Sequence, residues 1–260
     1  PTDGRQTREI IVNGYATDAA DSTLSATLPY LTFLSPFSYR SDLLGNLTPT
    51  FNLNLTLSGG QRTANLLTLT NLLEAGGFSS QIAHAVLTDQ TVQDTFLENA
   101  EALLRQGGWY GVNVDFEYVY QFDRDSYNQF LRRLTQRMHQ LGYIVVTALA
   151  PKLSDSQQGL LYSAHDYAAH GQTVDYVVLM TYEWGYTYGP AMAVAPLDKV
   201  RQVLDYATRV IPAGRILMGV PNYGYDWTLP FVQGTAARSL TNIDAVTLAG
   251  QVGASIQYDQ

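Results

Sequence analysis

Cysteine is absent from this 260-residue chain. Disulfide frameworks and thiolate metal sites are therefore excluded, and the redox compartment leaves no mark on the sequence. Positive charge is scarce: 15 Lys and Arg stand against 23 Asp and Glu, a formal net charge of −8. Phosphate recognition needs clustered Lys and Arg, so nucleic acid is not an expected partner. No apolar run reaches the ~18 residues of a membrane span, and no signal-peptide pattern opens the chain. A strand-like run begins within the first ten residues, which reads as a mature or excised domain with any targeting or wall-binding segment outside it. No GxGxxG or P-loop follows a strand-like run, which counts against nucleotide binding.

What the chain does contain is apolar and aromatic. Hydrophobic residues make up 46% and charged residues 15%, with 18 tyrosines, the composition of a compact globular protein. Tyrosine offers a flat face and a polar edge that suit either a sugar ring or an ordinary core. Short β-branched runs recur at 9–15, 30–36, 66–71, 110–117, 143–150, 175–182 and 215–221. Their near-continuous apolar character is that of parallel strands covered on both faces. Helical stripes fall between the later runs, at 91–105 (Phe96, Leu97, Ala100, Leu103, Leu104), at 125–141 (Tyr127, Phe130, Leu131, Leu134, Met138) and at 196–211. Strand and helix alternate, so the expected architecture is α/β, a (β/α)8 TIM barrel forming one domain over 1–260. An eighth strand is missing. Residues 226–260 turn polar and irregular, and are expected to begin a lobe inserted after strand seven, beside the mouth. Strands one and seven should then be left unpaired.

The chemistry concentrates in Gly111-Val112-Asn113-Val114-Asp115-Phe116-Glu117. Alternate residues of a strand share a face. Gly111, Asn113, Asp115 and Glu117 should therefore point into the barrel, while Val112, Val114, Phe116 and Tyr118 face the helices. Two carboxyls on one inward face are costly to bury. Either they belong to a polar network closing the barrel top, or they do chemistry; no Lys or Arg accompanies them in the run. Repulsion and desolvation should raise the proton affinity of one carboxyl and leave the other ionised, and a raised Glu is a usable general acid. Because both sit on one strand, they approach a substrate from one side. That fits poorly with two carboxylates flanking the scissile bond, and better with a nucleophile supplied by the substrate.

These residues resemble a known family. The segment from Tyr110 to Glu117 is similar to the DxxDxDxE signature of glycoside hydrolase family 18, the chitinase-like barrels. Met180-Thr181-Tyr182-Glu183-Trp184 resembles its MxYD motif, and Gly219-Val220-Pro221-Asn222-Tyr223-Gly224-Tyr225 its seventh-strand segment. The wording is nearest to the bacterial spore-cortex-lytic and spore-germination branch, whose members often carry LysM modules. The resemblance implies retaining, substrate-assisted hydrolysis of β-1,4-linked N-acetylated glycans, with no metal or cofactor and a monomeric, extracellular, wall- or spore-associated protein. By position, Glu117 would protonate the leaving oxygen, Asp115 would orient the 2-acetamido group, and Tyr182 would hydrogen-bond its carbonyl.

The chain departs from the family pattern in three places. Tyr110 replaces the first Asp of the signature, Asn113 the second, and Glu183 the Asp of MxYD. Asn113 can donate a hydrogen bond, which should favour the ionised form of Asp115. Further substrate-binding candidates are Tyr15, Phe37, Trp184, Tyr223, Tyr225 and Trp227, near strand ends, although an aromatic there is more often core or rim, and Asn222, which could bind a sugar hydroxyl. His84, His139, His165 and His170 lack metal spacing and are expected at the surface. Peptidoglycan and chitin-type substrates both remain open. So does a lectin-like relative, although retention of Glu117 counts against it; an isomerase or aldolase barrel lacks a phosphate loop.

Overall fold

The computed structural model describes residues 10–18, 21–52 and 63–257. Seven parallel strands form the main arc: β1 (Asn13–Ala16), β2 (Phe33–Pro36), β5 (Ala64–Thr70), β6 (Gly111–Asp115), β7 (Ile144–Leu149), β8 (Tyr176–Leu179) and β9 (Ile216–Met218), neighbours in that order. They correspond to the seven expected runs. Strands β1 and β9 lie at the two ends of the arc, and no pairing joins them among the described residues. A short hairpin missed by sequence reading, β3 (Tyr39–Ser41) with β4 (Leu47–Pro49), pairs through β3 onto β5. Three-residue strands are too short to show alternation.

Helices cover the outside. They are α1 (Asp21–Thr27), α2 (Ser80–Thr88), α3 (Gln90–Arg105), α4 (Arg124–Gln140), α5 (Tyr167–Thr173) and α6 (Leu197–Val210). The boundaries of α3 are set by chemistry readable in the sequence. Asp89 accepts from the amides of Thr91 and Val92, and Gly107 takes φ +95 just past the end, which a Cβ would disfavour. The expected stripe of α4 is fully buried. It packs on Val112, Val114 and Phe116, which together with Phe96 and Leu131 form the helix-side core. Phe116 stacks on Phe130 at 5.9 Å and meets Phe96 edge-on at 5.9 Å. Such aromatic pairs add about 0.5–1.5 kcal/mol each beyond area burial, so β6 is anchored at the residue before Glu117. A second cluster, with Phe33, Leu66, Val146, Ala148, Val178 and Met180, fills the inner face.

The segment after β9 corrects an expectation. It is regular: β10 (Tyr223–Asp226) pairs antiparallel with β11 (Arg238–Thr241), and α7 (Asn242–Val252) follows. The Thr241 hydroxyl accepts from the Asp244 amide, and Gly253 ends the helix at φ +66. A second correction concerns histidine. His165 and His170 are buried, at 1% and 0% exposure. A third concerns Tyr118, which does not face the helices; it is 40% exposed with φ +53, because the extended run stops at Asp115 and the chain turns away after Glu117.

Candidate active site

Toward the C-terminal ends of the strands, Tyr15, Asn113, Asp115, Glu117 and Tyr182 lie near one another. Asn113 and Asp115 are buried on the inner face of β6, and Glu117 stands just beyond the strand end. The amide nitrogen of Asn113 donates to the Tyr15 hydroxyl at 2.7 Å and to Ser35 Oγ at 3.2 Å. Ser35 Oγ in turn donates to Asn13 Oδ1 at 2.8 Å. Tyr15 meets Phe37 edge-on at 6.4 Å, so β1, β2 and β6 share one polar wall. Ser35 and Asn13 were missed in the sequence because each is one polar residue in a short strand.

Glu117 and Tyr182 are each followed by a residue with left-handed backbone. Tyr118 follows Glu117 at φ +53, and Glu183 follows Tyr182 at φ +68. Non-glycine residues rarely adopt this region and tend to do so at functional sites. Each turn carries the chain away at once, so the side chain before it stands two or three residues beyond the end of its strand. Tyr182 rests on Gly219, where a Cβ would lie 2.7 Å from the tyrosine ring and 2.5 Å from the Leu179 carbonyl oxygen. Only glycine permits that approach. Glu183 Oε1 accepts hydrogen bonds from the Tyr223 hydroxyl and, at 2.9 Å, from the Tyr225 hydroxyl. Trp227 lies 5.5 Å from Tyr225, while Asn222 is exposed and accepts from Asn242 at 3.0 Å. Trp184 instead packs against the helix-side core.

Burial dominates the electrostatics. It pushes the Asp115 carboxyl up to about 7. Glu117 is raised well above the usual carboxylate range by burial first, then by the charges of Asp115 and Glu183. The two titrate as a pair, so at neutral pH the site retains a proton. Burial, with Asp115 next, also raises the hydroxyls of Tyr15 and Tyr182, which stay neutral donors.

Sequence reading also missed what holds Glu117. The side-chain amide of Asn71, one residue past β5, accepts from the Glu117 amide at 3.0 Å and donates to its carbonyl at 2.8 Å. Buried His165 bonds the Phe116 carbonyl through Nε2 at 2.9 Å and accepts from the Ala150 amide through Nδ1 at 2.8 Å. Burial holds its imidazole down, to about 4, so it is neutral with its proton on Nε2. Among the described residues no group of three or more His, Asp or Glu side chains is arranged for a metal ion. A groove of about 490 Å³ between α4 and α5 lies on the outer helical ring, lined by Arg132, His139 and Gln172 among others; it shares no residue with the carboxyl cluster.

Residues 62–253 match the description of Glycosyl hydrolases family 18. The chain belongs to this family. Among its family 18 relatives is the cortical fragment-lytic enzyme of Bacillus subtilis (strain 168), 46% identical over 235 residues, covering 89% of this chain and 54% of that protein. The crystal structure of the Bacillus cereus spore cortex-lytic enzyme SleL superposes with a TM-score of 0.90 at 36% identity, over 98% of this chain and 60% of the other. A chitinase structure from Chromobacterium violaceum matches with a TM-score of 0.84 at 26% identity, over 96% of this chain and 79% of the other. The chain thus spans about half the length of the curated relatives it matches. The (β/α)8 family fold accounts for the parallel arc, whose strand count here is incomplete.

Proposed function

We propose that this chain hydrolyses β-1,4-linked N-acetylated glycans of the spore cortex peptidoglycan, acting outside the cell at the wall or spore. The observation that carries the chemistry is the Asp115–Glu117 pair, a buried carboxyl at the end of β6 and a second two residues on, just beyond the strand, which together hold a proton at neutral pH. Glu117 donates its proton to the departing glycosidic oxygen as the C–O bond breaks. The 2-acetamido carbonyl oxygen of the substrate attacks the anomeric carbon, closing a cyclic intermediate. The acetamido N–H donates a hydrogen bond to Asp115, and Tyr182 donates one to the attacking carbonyl. Glu117, now a carboxylate, removes a proton from the incoming water, which opens the ring with net retention. Asn113 holds the Tyr15 hydroxyl beside Asp115. Phe37, Tyr223, Tyr225, Trp227, Asn222 and Glu183 supply sugar contacts along the mouth. The substrate is chosen over chitin because the 46%-identical relative is a cortical fragment-lytic enzyme.

Digestion of purified cortex fragments and of chitin oligosaccharides in parallel, followed by mass spectrometry, tests both parts. Cleavage on the reducing side of N-acetylglucosamine in cortex fragments is expected. Preference for chitin oligomers would reassign the substrate. Efficient cleavage of a substrate de-acetylated at the reacting sugar would return the nucleophile to the protein.

A further inference from the structure

The segment that carries Glu117 has left the sheet ladder. Pairing of β5 with β6 ends at Thr70 and Asp115, yet the general acid lies two residues further on, next to a left-handed Tyr118. Free backbone there would let the carboxyl wander. Instead, three successive carbonyls each receive a side-chain donor from a different part of the chain. His165 Nε2 serves Phe116, Asn71 Nδ2 serves Glu117, and Ser80 Oγ serves Tyr118. The Asn71 amide also accepts from the Glu117 N–H. Its side chain thus continues the ladder by one more pair, as a backbone peptide would.

Both main clamps are themselves fixed. Asn71 Nδ2 donates to the Ser79 carbonyl at 3.0 Å, and the Ser79 amide returns a bond to Asn71 at 2.9 Å. Ser79 is also the N-cap of α2, which ties Glu117 to a helix end. On the other side, His165 spans from the Ala150 amide to the Phe116 carbonyl. Its own carbonyl accepts from the buried Lys152 ammonium at 2.9 Å. A ring with both nitrogens committed and no exposure has one orientation open to it.

We infer that Asn71 and His165 are positioning residues for the reaction, holding the Glu117 peptide from two sides so that its carboxyl meets the glycosidic oxygen. This rests on the general-acid role of Glu117. Neither residue touches substrate, so the loss on substitution should appear in kcat and leave KM nearly unchanged; misplacing a catalytic group by about 1 Å costs on the order of 10²-fold.

The test uses the full chain with cortex fragments as substrate. Asn71→Ala and His165→Asn should each lower kcat at least tenfold with KM within threefold. His165→Asn can still accept from Ala150 but no longer reaches Phe116. His165→Gln restores a donor near the Nε2 position and should recover most of the loss, which a merely space-filling role would not produce. In the same proteins, NMR hydrogen exchange of the Glu117 amide should be slow in the wild type and fast in Asn71→Ala. That arm does not depend on turnover: if the wild type cleaves nothing but the amide is protected, the proposed function fails and the clamp stands. Folded variants with kcat within threefold of wild type, a loss confined to KM, or free exchange of the Glu117 amide in the wild type would each overturn the inference.

Discussion

Asn113 spends its amide protons on the Tyr15 hydroxyl at 2.7 Å and on Ser35 Oγ, leaving only its Oδ1, buried and unpartnered. This reverses what the sequence suggested. An Asn beside Asp115 was expected to donate and to favour the carboxylate; with its donors engaged, it can only accept. Asp115 Oδ1 is likewise buried without a partner. Burial without a donor is what raises the proton affinity of Asp115.

The raised Asp115 carboxyl has a consequence for stability. Its folded value is raised from 3.8 to about 7, so below about 4 the proton is bound in both states and costs nothing. Between about 4 and about 7 the folded state holds a proton that the unfolded state releases. Stability from this group is therefore lost as pH rises across that window, by up to about 4 kcal/mol. Asp115→Asn should melt higher than the wild type at pH 8, with a gap that narrows toward pH 4, and should lose hydrolysis. Parallel melting-temperature profiles for the two proteins would refute a raised proton affinity at Asp115.

Glu117→Gln keeps size and backbone bonds but cannot give up a proton to the leaving group. General acids contribute roughly 10²–10⁴-fold, so kcat should fall by at least that lower bound while melting temperature and oligosaccharide affinity hold. Single-turnover kinetics with isothermal titration separates the two. A variant keeping more than about a tenth of wild-type kcat would remove Glu117 from its role.

Much of this site was legible because strand and helix periods are local. Alternation along 111–117 placed Asn113 and Asp115 on the inner face and Val112, Val114 and Phe116 on the helix side, and the stripe from Tyr127 to Met138 gave α4. The clamps were not legible. His165 is 48 positions from Glu117 in an irregular segment, where no period says which way a ring turns. It looked like a surface histidine until folding brought it under the Phe116 carbonyl. Asn71 sits at a strand end where Asn ordinarily marks a turn. The helix α7 was missed for another reason. Thr241, Asp244 and Gly253 are helix-boundary signals, but α7 buries none of its residues, and the reading weighted core-facing stripes over caps.

Gly219 sets the position of Tyr182. An added Cβ would meet the Leu179 carbonyl oxygen at 2.5 Å and the tyrosine ring at 2.7 Å. The carbonyl belongs to β8 and cannot yield, so the ring must. Gly219→Ala should cost about 1–3 kcal/mol through overpacking and lower kcat more than tenfold by moving the Tyr182 hydroxyl. Chemical denaturation and steady-state kinetics read the two effects. Wild-type kcat in Gly219→Ala would show that the tyrosine's placement is not critical.

The last prediction concerns Glu183. Its charge is one of the causes, after burial and Asp115, that raise the proton affinity of Glu117. Glu183→Gln removes that charge, retains an oxygen to accept from Tyr223 and Tyr225, and places a side chain of equal size on the same left-handed backbone. With less repulsion, Glu117 releases its proton more readily, so its pKa falls. A general acid works only while protonated, and the alkaline limb of the kcat–pH profile reports where it loses that proton. The limb should therefore move to lower pH in Glu183→Gln, and the height of the plateau is not the readout. Tyr225→Phe removes one hydroxyl from Glu183 but leaves its charge, and should not shift the limb downward. A limb that stays in place in Glu183→Gln, or moves to higher pH, would mean that the Glu183 charge does not reach Glu117.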